Sequence, residues 1–249
     1  HASERANLRT STGQPTGAIR VMTNMLKSLV REYPESAVVI IFDAKGKNFR
    51  HELYQEYKAT RKAMPDDLRS QVEPIHNIVR ALGLPLLMID GVEADDVIGT
   101  LACQATEKKI ETIISTGDKD IAQLVSKYVT LIDTMTGAST DLEGVIKKFG
   151  VPANLIIDYL ALMGDSSDNI PGMPGVGGKT AQALLQGIGS IDDIVLKLDQ
   201  VADLDFRGSK TFAKKFEEHK ELVFLSRELA TIKTDVDLPV SIENLKSEP

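Results

Sequence analysis

A chain of 249 residues, 42% apolar and 26% charged, can bury one sizeable core, or one core with a smaller partner, and has the balance of an ordinary soluble globule. No apolar run nears the roughly 20 residues of a membrane span, no secretory signal is visible, and the single Cys103 excludes an internal disulfide or a thiolate metal cluster, so a cytoplasmic protein is expected. The net charge of −7 argues at first against nucleic acid, yet eight of the 36 acidic residues fall in four tight groups, and the remaining 28 face 29 bases.

Residues 1–14 are polar, without a period, and read as loop. From Pro15 an apolar stripe (Ala18, Met22, Met25, Leu26, Leu29) predicts a helix ending near Tyr33-Pro34. The run 37–42 predicts a strand buried on both faces. Residues 45–62 carry Lys45, Lys47, Arg50, Lys58, Arg61 and Lys62 against Glu52 and Glu56, with Phe49, Tyr54 and Tyr57 interleaved. That mixture suits single-stranded nucleic acid, on which aromatics stack and cations track phosphate, and an exposed, mobile helix or arch is expected over about 45–65. A helix follows from Pro65, kinked at Pro74, then a second buried strand over 84–89 and a helix over 94–109 with Cys103 as a small core residue. Strands over 112–115 and 129–132 flank a short helix after Lys119. Beyond residue 140 the strands nearly vanish. Thr140 and Glu143 form the pattern of a capping box for a helix reaching Phe149-Gly150, and helices are expected over 152–164, 178–187, 190–198 and 209–227. The alternation predicts an α/β fold over 1–149, a mostly parallel sheet flanked by helices, and a smaller helical domain over 150–249.

The eight grouped acids have a pattern. Asp43 closes the first strand, Glu93, Asp95 and Asp96 follow the second, Asp118 and Asp120 follow the third, and Asp165 and Asp168 close a later helix. Loops after parallel strands share a crevice, so three groups are expected to converge. Helix capping is the alternative, because acids at helix starts satisfy orphan amides. Crowded carboxylates without histidine or cysteine suit a hard cation, Mg²⁺, Mn²⁺ or Ca²⁺, and two or more Mg²⁺ or Mn²⁺ ions would serve phosphodiester hydrolysis. The four histidines (His1, His51, His76, His219) are scattered and lack ligand spacing.

The turn Gly172-Met173-Pro174-Gly175-Val176-Gly177-Gly178-Lys179-Thr180 fails as a nucleotide P-loop, which would need glycine at Met173. It fits better a hairpin between two helices, whose amides at Gly175, Gly177 and Thr180 and the Lys179 charge hold a DNA backbone without reading bases. A tight inter-helix turn with glycine caps is the structural alternative. A second basic stretch, with Arg207 and Lys210, lies over 206–220.

Ile41 to Gly46, Gly91 to Asp96, Ser115 to Asp120 and Met163 to Ala181, in that order, resemble the 5′-nuclease domain of bacterial DNA polymerase I, in the flap endonuclease family. The resemblance runs nearly end to end. It implies a resolvase- or PIN-like core, a helix-hairpin-helix element over 172–180, and metal-dependent removal of 5′ flaps and RNA primers at flaps and nicks. It implies Asp43, Glu93, Asp95, Asp96, Asp118, Asp120, Asp165 and Asp168 as metal ligands. Lys58 and Arg61 would contact the scissile phosphate, with K⁺ at the hairpin, while Arg50, Tyr57, Arg207 and Lys210 are expected from the basic stretches as further DNA contacts. Polymerase domains in the same parent chain, a monomeric state and a place at the nucleoid follow from the same resemblance. The family pattern opens with a strand and aspartate that precede His1, so a piece of a longer protein is expected. A non-catalytic DNA-junction binder is the second reading and a small-molecule phosphatase the third.

Overall fold

The computed structural model describes residues 8–245; the loop expected before residue 8 and residues 246–249 lie outside the described residues. Among these the chain forms α1 (Gly17–Glu32), β1 (Ile40–Ile41), α2 (Phe49–Leu53), α3 (Asp66–Ala81), β2 (Leu86–Leu87), α4 (Ala94–Glu107), β3 (Thr112–Ser115), β4 (Val129–Ile132), β5 (Ser139–Thr140), α5 (Leu142–Phe149), α6 (Ile156–Met163), α7 (Gly178–Gly187), α8 (Ile191–Leu196) and α9 (Ser209–Ala230), joined in places by 3₁₀ turns. No helix among the described residues is long and apolar enough to cross a membrane. The described chain divides into two compact units, each discontinuous in sequence. Residues up to Lys45, Lys62–Val97 and those from Asp237 make one; Gly46–Arg61 and Ile98–Val236 make the other.

In the first unit α1 packs on α3, and β1 pairs parallel with β2, Ile40 opposite Leu86. The α1 N-terminus has no side-chain cap of its own. Buried Gln71 on α3 supplies one instead, its Oε1 accepting from the Ala18 and Ile19 amides at 2.9 and 3.1 Å. Leu26, Val79 and Leu84 form the core, with Met22, Val38, Ile40, Phe42 and Leu86 against it. The helix over 66–81 continues through Pro74. The strands expected over 37–42 and 84–89 shrink to two paired residues each, and Ile40 and Ile41 are half-buried rather than covered on both faces. Leu86 packs on this core, and Leu87, on the opposite face of β2, is buried as well.

In the second unit β3 and β4 pair parallel, and β5, which the sequence pattern does not announce, adds antiparallel to β4. Only alternate residues of β4, Val129 and Leu131, face the core, and Ile113 of β3 is 46% exposed. The helix start expected at Thr140 shifts by one residue: Asp141 caps α5, accepting from the Gly144 amide at 2.8 Å, because Thr140 is taken into β5. Apolar α6 is almost wholly buried and packs on α7 and the long α9. Cys103 is exposed, not core; Ala102 and Ala105 take the buried side of α4.

The basic segment after Lys45 departs most from expectation. It is packed into the second unit rather than standing out as an arch. Asn48 and His51 form a capping box on α2, α2 rests on α9, and Asn48, Arg50 and Tyr57 are buried.

Candidate active site

The loop after α6 is shaped by its own backbone. Gly164 ends the helix at φ +76°, and Asp165 and Ile170 then exchange backbone hydrogen bonds of 2.9 and 2.8 Å, closing a tight turn around Ser166 to Asn169. Gly172 returns the chain beside Gly164 at φ +64°; a Cβ there would lie 2.4 Å from the Gly164 nitrogen, so no other residue fits. The Gly172 amide donates to buried Ser226 on α9 at 3.0 Å, and Ser226 donates in turn to the Leu222 carbonyl at 2.7 Å. The turn therefore has fixed ends, and the carboxylates of Asp165 and Asp168 are both buried on it.

Asp168 is engaged on both oxygens. Arg61 Nη2 lies 2.5 Å from Oδ1, while Tyr57 donates to Oδ2 at 3.1 Å and Lys58 Nζ stands 3.5 Å from it. The backbone is tied as well: the Lys58 amide donates to the Asp168 carbonyl at 2.8 Å, and Asn169 Nδ2 to the Glu56 carbonyl at 2.6 Å. Lys58 and Asn169 both adopt left-handed backbone at φ 57°. For a non-glycine residue each such conformation costs roughly 1–3 kcal/mol, and it persists where its surroundings over-determine it. Lys58 and Arg61 thus lie together at the end of this segment, with the Arg61 side chain half-exposed.

Two expected DNA contacts are corrected. Tyr57 is buried, so its ring cannot stack on a base; it packs in the core and orients Asp168. Arg50, 2% exposed, lies over the Phe49 ring and donates to the Leu229 and Thr231 carbonyls at 2.9 and 2.7 Å. Its charge is spent closing the C-terminal end of α9.

The third acidic group follows β3. The Asp118 amide donates to Thr116 Oγ1 and the Asp120 amide to Asp118 Oδ1, each at 3.0 Å. Asp120 opens a 3₁₀ turn, and its Oδ1 is buried with no hydrogen-bond partner. Burial, then repulsion from Asp118 and Asp165, pushes its carboxyl up to about 8, with Lys119 opposing. Lys119 Nζ stands 3.2 Å from Asp165 Oδ2, and the Ser167 amide donates to Asp165 Oδ1 at 2.8 Å. Burial works against the Lys119 charge, but Asp165, Asp120 and Asp118 outweigh it and raise its pKa. Asp118, Asp165 and Asp168 therefore all act electrostatically on Asp120. Lys119 sits inside the Asp-Lys-Asp motif itself, and the sequence pattern does not single it out as a site residue.

In the first unit the acids perform the capping that was the alternative reading. Asp43 Oδ1 accepts from the Ala94 amide at 2.8 Å, and buried Asp96 reaches back to the Glu93 amide at 2.9 Å, both at the start of α4. Asp43 is exposed, and Glu93 and Asp95 are half-buried. Among the described residues no three carboxylate, imidazole or thiol side chains stand as a ready-made metal cage.

The hairpin before α7 differs from the turn before it. Gly175 and Gly177 are exposed, and a Cβ on either would meet nothing within 4 Å. Gly175 has φ +81°, but Gly177, at φ −103° and ψ −178°, has backbone that any residue adopts. Among the described residues nothing requires glycine at 177. A bare surface there leaves the first amides of α7 open to close approach by an anion. Lys179 is exposed beside them and Thr180 half-buried, while Arg207 and Lys210 are exposed around the start of α9.

Family models cover the chain from end to end. Residues 1–150 match the 5′-3′ exonuclease N-terminal resolvase-like domain, and residues 151–249 the 5′-3′ exonuclease C-terminal SAM fold. The DNA polymerase I of Pseudomonas aeruginosa is 58% identical over 239 residues, 96% of this chain but 26% of the polymerase, so the chain spans about a quarter of that relative. The 5′-3′ exonuclease of Buchnera aphidicola subsp. Baizongia pistaciae is 44% identical over 236 residues, covering 95% of this chain and 78% of that protein. The bacteriophage T5 flap endonuclease, solved with DNA and metal ions, has the same fold at a TM-score of 0.71 and 23% identity, over 88% of this chain and 82% of that one. The chain belongs to the 5′-3′ exonuclease family.

Proposed function

We propose that this protein is a structure-specific 5′-3′ exonuclease and flap endonuclease that hydrolyses phosphodiesters at 5′ flaps, nicks and RNA primers in DNA replication and repair. The observation that carries the reading is the buried, unpartnered oxygen of Asp120, set among like-charged carboxylates that raise its pKa. Such a site is short of positive charge, and its all-oxygen donors suit Mg²⁺ or Mn²⁺. Asp43, Glu93, Asp95 and Asp96 in the first unit, and Asp118, Asp120, Asp165 and Asp168 in the second, are the proposed ligands of two or more ions. When bound, these ions supply Lewis acidity, charge stabilisation and activation of water.

The remaining work falls to side chains of this chain. Lys58 and Arg61, held by Asp168, present positive charge to the scissile phosphate. Asp118 and Asp120 are the carboxylates nearest the chemistry. The amides at Gly175, Gly177 and Thr180, with Lys179 and with K⁺ at the turn, grip the duplex backbone, and Arg207 and Lys210 extend the basic surface. A nuclease core over 1–149 and a DNA-binding domain over 150–249 divide these tasks. Polymerase domains in the same parent chain, a monomeric state and a cytoplasmic, nucleoid-associated location complete the proposal.

The test is cleavage of a 5′-flap substrate with Mg²⁺ and with EDTA, in the native protein and in the double variant Asp118→Asn with Asp120→Asn. Cleavage that needs Mg²⁺ and falls by at least about a hundredfold in the double variant is expected, the scale of losing an electrostatic catalytic group. Undiminished cleavage by the variant would sink the site assignment. Flap binding in Ca²⁺ without cleavage in Mg²⁺ or Mn²⁺ would mark a junction binder instead.

A further inference from the structure

Lys119 is the cation against Asp165, and the two partners differ sharply in their setting. The Asp165 side chain is 3% exposed and that of Lys119 40%. A lysine side chain with this much exposure can swing out at little desolvation cost, whereas a buried carboxylate stripped of its counter-charge is strongly unfavourable. The pair is also arranged so that only one oxygen is at stake. Asp165 Oδ1 is fixed by the Ser167 amide, and the ammonium touches Oδ2 at 3.2 Å. Asp118 and Asp120 flank Lys119 in sequence, and the ammonium feels both. The buried Asp120 Oδ1 has no partner of its own.

We infer that Lys119 is a resident counter-cation for the acidic cluster, neutralising Asp165 in the metal-free protein and giving up its place when a divalent cation binds. This inference rests on the metal-binding role proposed above. An arriving divalent charge would repel an ammonium at Asp165, and the side chain has solvent to retreat into. Lys119 therefore competes with metal. It keeps the metal-free site from being torn by its own charges, and lowers its affinity for the first ion. A lysine that merely positioned Asp165 as a ligand would do the reverse, because its loss would weaken metal binding.

The experiment is calorimetric titration of the full chain with Mn²⁺ in the absence of DNA, alongside thermal unfolding in EDTA and in Mn²⁺. The proteins compared are the native chain, Lys119→Met, Lys119→Arg, and Asp118→Asn with Asp120→Asn. Lys119→Met should bind Mn²⁺ roughly ten-fold more tightly, the factor that about 1.4 kcal/mol represents. It should also melt at lower temperature in EDTA and show a larger rise in melting temperature on adding Mn²⁺. Lys119→Arg keeps the charge and should follow the native protein in all three. Mn²⁺ affinity that is unchanged or weaker in Lys119→Met, with the arginine variant folded and native-like, overturns the role of Lys119 while leaving the metal site intact. Native Mn²⁺ binding that the Asp118→Asn, Asp120→Asn protein fully retains overturns the metal assignment itself.

Discussion

Alanine at Gly172 and alanine at Gly177 should have opposite consequences. At Gly172 the backbone is left-handed, φ +64°, and the new Cβ would stand 2.4 Å from the Gly164 nitrogen and 2.7 Å from its Cα. Those are backbone atoms of a turn tied at both ends, so they cannot rotate away. The left-handed conformation costs a non-glycine residue about 1–2 kcal/mol, and forcing packed backbone apart about 1–3 kcal/mol more. A loss of about 2–5 kcal/mol is a large part of the roughly 5–15 kcal/mol that holds a domain folded. At Gly177 the conformation is ordinary and the added methyl meets open space. Stability should change by no more than about 0.5 kcal/mol, as for other exposed sites. The cost appears when DNA binds: a methyl that holds a phosphate off an amide forfeits a charge-assisted hydrogen bond worth about 1.5–3 kcal/mol, or roughly ten- to hundred-fold in affinity. Urea unfolding followed by circular dichroism, and fluorescence anisotropy with a labelled nicked duplex, separate the two effects. A folded Gly177→Ala protein with native DNA affinity would refute the hairpin as the anchor. Native stability in Gly172→Ala would refute the steric argument.

Other substitutions probe the groups that the fold has withdrawn from the surface. Arg50→Ala should destabilise the protein by about 2–4 kcal/mol in urea unfolding, since it strips charge-assisted bonds from the Leu229 and Thr231 carbonyls, while the folded fraction keeps native duplex affinity. Reduced DNA affinity at full stability would return Arg50 to the binding surface. Tyr57→Phe removes one bond to Asp168 and should cost about 1 kcal/mol. Because Asp168 also holds Lys58 and Arg61, flap cleavage should fall without loss of hairpin-dependent binding; equal loss of both would refute this. Burial raises the Asp158 pKa above 3.8 against the opposing Ile191 amide and Arg227 charge. Its contribution is therefore complete below pH 3.8, and stability is lost as pH rises through the raised folded value. Asp158→Asn should melt higher than the native protein at neutral pH, with the difference vanishing near pH 4. A difference independent of pH would show that the carboxyl's ionisation is not the cause.

Amphipathic helices were legible because their apolar stripes are also their buried faces: Leu26 on α1, and Ile75 and Val79 on α3, are core residues as the period implies. Strand extent was not, because an apolar run records what prefers burial and not where a ladder partner stands. The run 37–42 pairs over Ile40–Ile41 alone. The basic segment misled for a related reason. Six cations in eighteen residues read as a solvated arch, but Arg50 neutralises helix-end carbonyls and Tyr57 is core, partners supplied from about 180 and 110 residues away along the chain. No local pattern carries such contacts.

For the acids, capping and ligation are rival readings of the sequence, and the hydrogen bonds show why they need not be. Asp43, Asp118 and Asp165 each accept at Oδ1 from a backbone amide, of Ala94, Asp120 and Ser167. A carboxylate held by one oxygen has a fixed plane, so its second oxygen is aimed by the backbone and not by a free rotor. At Asp165 that second oxygen meets the Lys119 ammonium. On the proposed metal role, the cap would be the means by which a loop carboxylate is pre-aimed, the service that outer hydrogen bonds perform around metal sites generally. Capping frequency in sequence therefore cannot be used to argue against a metal role. What separates the two is an oxygen that the protein leaves unsatisfied, and Asp120 Oδ1 is buried in that state.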